Sequence, residues 1–457
     1  MAPDLAPDQA ELIERMTKLA ENGDVEGLTD EIMAFTADYT GHWDRNARHV
    51  TDALDHLAAE QRSDLVMALL ERCRRVTDTE QLRVTNDLLK ILVEPYRKAG
   101  TPDAAAIVLA FAGRHSTIFD KDEQRLANIL IQAGRPLPPE AIATMRRVVA
   151  QDDWYTADPL RPLLAKLDLP PLNLGEAWAD RVLADLASLG EEPAGGEEQA
   201  SRWRELLKHA AKATSAKPSR KWEATARDLL AGLTEPGDRL RSWLALVGRP
   251  RTLLLNPIEG YNVNETFDHF NAIVLRGLIW LTPLLPEHPE TARVLGGLVE
   301  TSLRRVVGVG PRSPKVANAA VYALSRIPTE DALAQIARLA ARVTYKGTLK
   351  ELNAALDARA AALNLTRDEV EELAVPAYGL TEVGRRVERF GDASATLDAS
   401  SGTVTVTWRN AAGKVVKSVP AAVRSGHAEQ LAEFRAAVKD VEKMLSAQAE
   451  RLDRQFL

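Results

Sequence analysis

Two short amphipathic segments joined by a tight turn constrain the fold of this chain more than any other stretch. Ser313 can cap a helix, and Pro314 can open it because the first helical N–H needs no partner within the helix. Apolar residues then recur at three- and four-residue steps along one face: Val316, Ala319, Ala320, Ala323, Leu324 and Ile327. Pro328 ends this helix and Thr329 starts the next, which carries an apolar stripe of its own.

Such a pair of helices cannot bury its apolar faces alone, so stacked neighbours are needed, as in HEAT-like repeats. Residues 1–190 continue the pattern irregularly, with further helices predicted over four stretches: Pro102–Ala112, Lys121–Ala133, Pro138–Ala150 and Gly175–Leu189. Because short loops keep joining short helices, we predict a mainly α fold, either a HEAT-like α-solenoid or an irregular helical array.

Composition and charge exclude several classes of protein. A hydrophobic content of 45% excludes a disordered chain, and a charged content of 27% without any long apolar run excludes a membrane protein. The single cysteine, Cys73, rules out disulfides within the chain and favours a reducing compartment. Met1–Glu21 lacks the basic start and apolar core of a signal peptide. We therefore predict a cytoplasmic protein with no membrane contact.

Changes in composition predict the domain boundaries. A segment rich in glycine and glutamate at 191–201 is expected to link an N-terminal helical array, 1–190, to a HEAT-like helical domain, 202–373. A small β-meander is predicted for 374–424, followed by a C-terminal amphipathic helix at 425–457. Within the second helical domain, Arg249–Glu265 is expected to form a longer irregular loop.

The β-meander is predicted from alternation of apolar and polar residues. Val404, Val406 and Trp408 would share one side of a strand, and a turn at Asn410–Gly413 would lead into a return strand at Lys414–Val419. Ala395–Asp398 gives a third strand. A sheet of this size should pack on a helical neighbour, because it is too small to be stable alone.

The C-terminal helix carries a stripe with the spacing of a two-stranded coiled coil: Leu431, Phe434, Val438, Val441, Leu445 and Leu452. Contact with the meander and the helical array would explain most of this stripe. The apolar end follows no glycine or proline stop, which is expected where a fold continues in the same chain or in a partner. We predict self-association or binding of a partner helix through an assembly surface of Leu445, Leu452, Phe456 and Leu457.

No catalytic residue, metal site or cofactor motif is predicted. His42, His49 and His56 are spaced by seven residues, about 10 Å of helical rise, so no two of them can bind one metal ion and an exposed polar face is the simpler interpretation. Arginines flank Cys73 and could lower its pKa, although a lone cysteine on an amphipathic helix is more often a small core residue. Gly308-Val309-Gly310 follows a helix and is interpreted as a turn.

Two basic clusters are the strongest candidates for a binding surface. The first, Lys217, Arg220 and Lys221, lies in a stretch that also contains Trp203 and Trp222. The second consists of Arg304, Arg305, Arg312 and Lys315. On one shared face they could bind a phosphate backbone or an acidic partner. The alternative is that both tryptophans lie in the core while the charges are solvated, which the net charge of −7 favours.

Arg276 lies in an otherwise apolar helix. If it is buried, it needs a carboxylate or carbonyl partner, and we expect a structural ion pair there.

Several stretches together resemble the MolR-like family of bacterial helical-repeat proteins, whose members carry a domain of unknown function and sometimes a WGR domain. They are KPSRKW (217–222), LRGLIW (275–280), VGPRSPKVANAAVYAL (309–324), VTYKGTLKELNAAL (343–356), AVPAYGL (374–380) and TVTVTWRNAAGKVVKSVP (403–420). The resemblance covers the chain from residue 201 onward, and no WGR tripeptide is present.

This resemblance implies a non-catalytic scaffold or interaction protein in a bacterial multi-protein system, with no cofactor. The implied protein partners are MoxR-type AAA+ ATPases or von Willebrand A proteins. Family members usually continue beyond the long helix, so the resemblance carries no expectation to this chain about an activity in that further region. The alternatives are a nucleic-acid-binding module that uses the basic clusters and a regulatory fragment of a larger enzyme.

Overall fold

The computed structural model describes residues 7–38, 50–116, 118–151, 157–167, 169–193, 195–256, 260, 262–367, 369–370, 380, 384–400 and 402–456. Within this part the chain is mainly helical, with a small antiparallel sheet, and it forms two compact units. The first unit consists of residues 1–286 and 297–323, and the second of residues 287–296 and 324–457. The predicted helical domain 202–373 is therefore divided between two units.

The helices are α1 (Pro7–Glu21), α2 (Val25–Asp38), α3 (Ala59–Cys73), α4 (Thr79–Lys98), α5 (Pro102–Ala112), α6 (Lys121–Gln132), α7 (Pro139–Ala150), α8 (Leu160–Leu164), α9 (Ala177–Glu191), α10 (Gly196–Ala210), α11 (Arg220–Ala231), α12 (Pro236–Leu244), α13 (His269–Leu281), α14 (Pro289–Leu303), α15 (Pro314–Arg326), α16 (Glu330–Arg342), α17 (Lys346–Leu363), α18 (Ala421–Gly426) and α19 (Ala428–Phe456). The strands are β1 (Arg305–Val306), β2 (Gly310–Pro311), β3 (Arg385–Phe390), β4 (Ala393–Asp398), β5 (Thr405–Arg409) and β6 (Val415–Val416).

Local capping signals start the helices of the first unit where the sequence predicts them. The Thr101 side chain accepts a hydrogen bond from the Ala104 N–H at the start of α5, and Asp120 and Glu123 form a capping box at the start of α6. The four predicted helices α5, α6, α7 and α9 are confirmed to within two residues at each end. One largely aliphatic core, built of residues between Met16 and Leu160, lies beneath these N-terminal helices.

The stretch 191–201, predicted as a linker, is largely helical in the structure and corrects that prediction. α9 and α10 follow each other closely and pack together inside the first unit. Gly195 has a φ of +94°, which lets the chain reverse direction between them. Glu197 and Glu198 occupy the first turn of α10, where the helix dipole favours carboxylates, and Trp203 of the same helix is buried.

α13 is mostly apolar and is buried from Val274 to Leu281. It contacts α7 and α10, and its one glycine permits the second contact. A Cβ at Gly277 would lie 2.3 Å from the carbonyl oxygen of Ala210, so only glycine allows the two backbones to approach this closely.

The two predicted helices on either side of Pro328 are confirmed as helices. α15 begins at Pro314 and buries Val316, Ala320 and Leu324, and the Thr329 side chain caps α16 by accepting from the Ala332 N–H. α16 packs against α17 in the second unit. Its most buried stripe is Ala332, Leu333, Ile336 and Leu339.

The sheet of the second unit has four antiparallel strands in the order β3-β4-β5-β6. Three of them match the predicted meander, although β6 is shorter than expected, and β3 was not predicted. Val404, Val406 and Trp408 do face the same core, which α19 completes with Leu431, Phe434 and Val441. The expected helical neighbour of the sheet is therefore α19.

Among the described residues, no helix is long and apolar enough to cross a membrane.

Candidate functional site

A cavity of about 150 Å³ in the first unit is the clearest candidate for a binding site. The α5–α6 loop, α7, the described part of the 249–265 loop, the start of α13 and the β1–β2 turn all contribute to its wall. The lining residues are Ser116, Arg147, Arg251, Leu255, Val263, Thr266, Phe267, His269 and Val309.

Arg147 of α7 is buried and its guanidinium is hydrogen-bonded on every nitrogen. Its Nε donates to the carbonyl of Ser116 at 2.9 Å, and its Nη2 donates to the carbonyl of His115 at 2.8 Å and to Thr144 Oγ1 at 2.7 Å. Nη1 donates to Asp268 Oδ2 at 3.1 Å. Arg147 thereby connects the α5–α6 loop to the start of α13, and its partner Asp268 lies 121 residues after it in the sequence.

Asp268 is the N-cap of α13 and the buried partner of Arg147. Its Oδ1 accepts from the backbone N–H groups of Phe270 and Asn271, at 3.0 and 3.1 Å. Burial opposes ionisation of this carboxyl, but Arg147 and Arg251 outweigh it and hold its pKa below the usual value. A paired, ionised Asp268 therefore fixes the start of α13 beside the cavity.

Glu176 is a second buried carboxyl in the same network. Its Oε1 accepts from the Asp268 N–H at 2.9 Å, and its Oε2 accepts from Asn271 Nδ2 at 2.9 Å and from Trp178 Nε1 at 3.2 Å. Burial raises the pKa of this carboxyl, against the attraction of Arg251. Neither Glu176 nor Asp268 lines the cavity, and protein donors occupy both, so they support its wall.

Arg251 differs from Arg147 in being incompletely partnered. Its backbone forms an antiparallel bridge with Glu176, which fixes its position in the wall. Within the described part of the chain, its buried Nε and Nη1 have no hydrogen-bond partner, and no carboxylate lies within ion-pair distance. The Ser116 hydroxyl, also in the wall, likewise has no partner among the described residues.

The second predicted basic cluster does not line this cavity, although Arg312 contacts a residue of its wall. Val309, in the turn between β1 and β2, is part of the wall, and the Arg312 guanidinium lies 5.4 Å from the ring centroid of Phe267. Burial lowers the pKa of His269 against the charge of Asp268, and the positive charges of Arg147, Arg251 and Lys315 act in the same direction as burial. Arg304, Arg305 and Lys315 are exposed. The predicted turn at Gly308-Val309-Gly310 is confirmed by the hairpin.

The first basic cluster is exposed, while its aromatic neighbours are not. Lys217, Arg220 and Lys221 lie at the start of α11 with exposed side chains. Trp203 stacks edge-on against Trp243, and Trp222 contacts His209 and Trp280 in the interior. The alternative interpretation, that both tryptophans lie in the core, is therefore confirmed.

Arg276 is buried, the case for which the sequence required a carboxylate or carbonyl partner, and its partner is not a carboxylate. It donates to the carbonyl oxygen of Ser215, and its guanidinium lies 5.6 Å from the ring centroid of Trp280. Burial lowers its pKa. The expected ion pair is thus replaced, among the described residues, by a carbonyl and an aromatic ring.

Cys73 is a core residue. It is buried, and desolvation raises the pKa of its thiol despite the nearby charge of Arg114. His56 is exposed, whereas His42 and His49 lie outside the described residues. The described part of the chain has no group of three histidine, cysteine or carboxylate side chains placed to hold a metal ion.

The proposed assembly surface is described only at its start. Leu445 is partly buried and packs against the core shared by the sheet and α19. The side chains of Leu452 and Phe456, and the whole of Leu457, lie outside what the structure describes.

The centre of the cavity was not predicted from the sequence. Arg251 lies in the predicted irregular loop, but Arg147 and Ser116 were not predicted as site residues. One signal was available: Asp268 precedes an apolar helix and has the character of an N-cap.

Comparison with known proteins bears on the end of the chain. A family described as a domain of unknown function (DUF4132) matches residues 413–457, which include β6, α18 and α19. No curated protein and no solved structure matches the chain. The matched segment lies in the second unit and contains none of the residues that line the cavity.

Proposed function

We propose that the chain is a non-catalytic interaction protein of the MolR-like type, a HEAT-like helical scaffold in a cytoplasmic bacterial multi-protein system. The proposed partner is a protein, either a MoxR-type AAA+ ATPase or a von Willebrand A protein. The sequence resemblance suggests these partners, and one surface feature of the first unit supports the interaction role.

That feature is the β1–β2 hairpin, which exposes apolar side chains between cationic ones. Val307 is 80% exposed and Val309 is 46% exposed, and both follow the exposed Arg304 and Arg305. Arginine is enriched in protein interfaces, and exposed apolar groups rimmed by polar residues mark interaction sites.

The hairpin is also held rigidly, which favours binding. Its base is fixed by hydrogen bonds from the Arg312 N–H to the Arg304 carbonyl at 3.0 Å and from the Ser313 N–H to the Ser302 carbonyl at 2.7 Å. A preorganised loop loses little conformational entropy when a partner binds. An acidic partner segment with an apolar anchor would suit this surface.

Affinity capture from the native bacterium with the intact chain, Val307→Asp and Val387→Asp tests this role. Val387 is 62% exposed on β3 and provides a matched control for placing a charge at an exposed valine. We expect one protein to be lost with Val307→Asp and retained with Val387→Asp. An identical set of captured proteins from all three would contradict the role of the hairpin.

Nucleic-acid binding is the second candidate, favoured by the exposure of Lys217, Arg220 and Lys221 around the start of α11. The burial of Trp203 and Trp222 removes both aromatic side chains of that stretch from base stacking, so binding would depend on phosphate contacts and on salt. Reversal of the three charges to glutamate should then abolish retention of DNA or RNA at low salt. No retention by the unmodified chain would eliminate this candidate.

A further inference from the structure

We propose that the cavity beside Arg251 binds a small oxyanion, a phosphate or carboxylate group. The cavity shares Val309 with the hairpin surface described above, but the inference does not depend on the hairpin interaction. The inference rests on unused hydrogen-bond donors, on the balance of charge around them and on the dimensions of the cavity.

Two residues of the cavity wall have hydrogen-bond donors that no described residue uses. Arg251 Nε and Nη1 and the Ser116 hydroxyl are buried without partners among the described residues, and both side chains line the cavity. Ser116 as a whole is only 3% exposed. A buried donor without an acceptor is costly, and more so when it is charged, so an acceptor placed in the cavity would remove this penalty.

The second observation concerns charge. Asp268 neutralises Arg147 at 3.1 Å, whereas Arg251 has no such carboxylate among the described residues. Glu176 and Asp268 also attract Arg251, but protein donors already occupy both carboxylates and neither of them lines the cavity. The guanidinium of Arg312, over Phe267, adds a further positive charge at the wall. The cavity therefore favours an anion over a neutral ligand.

The third observation concerns size and polarity. The volume of about 150 Å³ matches that of an engineered cavity known to hold one benzene molecule, so a phosphate or carboxylate group fits within it. Leu255, Val263, Phe267 and Val309 form an apolar part of the wall. Their presence limits water and strengthens the attraction between Arg251 and an anion.

Titration calorimetry on the full chain tests the site with inorganic phosphate and with acetate, at constant ionic strength maintained with chloride. We expect saturable binding of at least one anion. Arg251→Gln should weaken it about tenfold or more, because a hydrogen bond to a charged group is lost, and Ser116→Ala should weaken it about fivefold. Arg305→Gln removes an exposed arginine that does not line the cavity and should leave the affinity unchanged.

The relative affinities of the two probes assign the ligand class. Tighter binding of phosphate would indicate a phosphate-bearing ligand, and tighter binding of acetate would indicate a carboxylate. Circular dichroism shows whether each variant is folded, and Ser116→Ala gives a second test if Arg251→Gln is not.

Three results would overturn the proposal. They are no binding of either anion at millimolar concentration, equal binding by Arg251→Gln and the native chain, and binding that appears only after Glu259→Gln. In the last case the carboxylate of Glu259, which follows Arg251 in the sequence, would be the acceptor.

Discussion

Glu123 and His115 form a pair, and protonation of the two side chains should change the stability of the fold in opposite directions. Glu123 Oε1 and His115 Nδ1 are 3.8 Å apart, and Glu123 is 1% exposed. Burial raises the pKa of Glu123 to about 7, against a backbone hydrogen bond from Asp120 and the charge of Arg97, which favour the ionised form. Burial, together with the charges of Arg97 and Lys90, lowers the pKa of His115 to about 4.

The two shifts change stability in opposite directions as the pH falls. Because the folded-state pKa of Glu123 is raised, its contribution is present at low pH and is lost as the pH rises through about 7. Because that of His115 is lowered, its contribution is present above the unfolded value and is lost as the pH falls towards 4. Between pH 7 and about pH 5 each contribution changes by about 2 kcal/mol, so the two nearly cancel.

Glu123→Gln separates the two contributions while preserving the cap of α6. The glutamine side-chain oxygen can still accept from the Asp120 N–H, which bonds Glu123 Oε2 at 2.8 Å. The variant keeps the contribution of His115 to the pH dependence of the free energy of unfolding and loses the opposing contribution of Glu123. We expect its free energy of unfolding to fall by about 2 kcal/mol more than that of the native chain between pH 7 and about pH 5.

Urea titration followed by tryptophan fluorescence measures this difference, since Trp178, Trp203, Trp243 and Trp280 all report on the first unit. Asp122→Asn, in the same helix turn with an exposed side chain, controls for the loss of one carboxylate. Parallel pH profiles for Glu123→Gln and the native chain would refute the opposed titration of the pair.

Two further predictions concern the first unit. Gly277→Ala should destabilise it by about 1–3 kcal/mol, because the added methyl group meets the backbone of Ala210. Gly297→Ala places its methyl group in open space and should stabilise the unit by about 0.5–1 kcal/mol. Thermal denaturation of both variants measures the contrast, and equal effects would contradict the close approach of α10 and α13. Cys73 should react with a thiol reagent only when the first unit opens, because it is buried and its pKa is raised, so rapid labelling of the native chain would contradict its core position.

Local signals were sufficient to predict the helices. Thr101, Asp120 and Thr329 cap where short-range rules place them, and the apolar stripe of α15 is buried as its spacing requires. These features depend on neighbours within a few residues, which the sequence displays directly.

Features that depend on distant contacts were missed or mispredicted. The composition of 191–201 suggested a linker, because nothing in it shows that α10 would pack on α9. β3 was not predicted because Arg385, Arg386, Glu388 and Arg389 resemble a solvated segment, yet Gln430 of α19 donates to both Glu388 and the Arg389 carbonyl.

The candidate site could not be predicted for the same reason. Arg147 and Asp268 are 121 residues apart, and Asn173 meets Asn271 across 98 residues. No local spacing links these residues, so only the tertiary fold brings them together. The irregular loop containing Arg251 was predicted, but only the three-dimensional structure shows that two nitrogens of its guanidinium have no acceptor among the described residues.

Site-specific photocrosslinking in the native bacterium tests the central proposal most directly. A photoreactive amino acid at Val307, on the exposed tip of the hairpin, would form a covalent bond only to a protein that touches it. The proposal predicts one dominant adduct from position 307 that is absent from the equally suitable exposed position Val387. No adduct from position 307, or the same weak adducts from both positions, would contradict a role for this chain as an interaction protein acting through the hairpin.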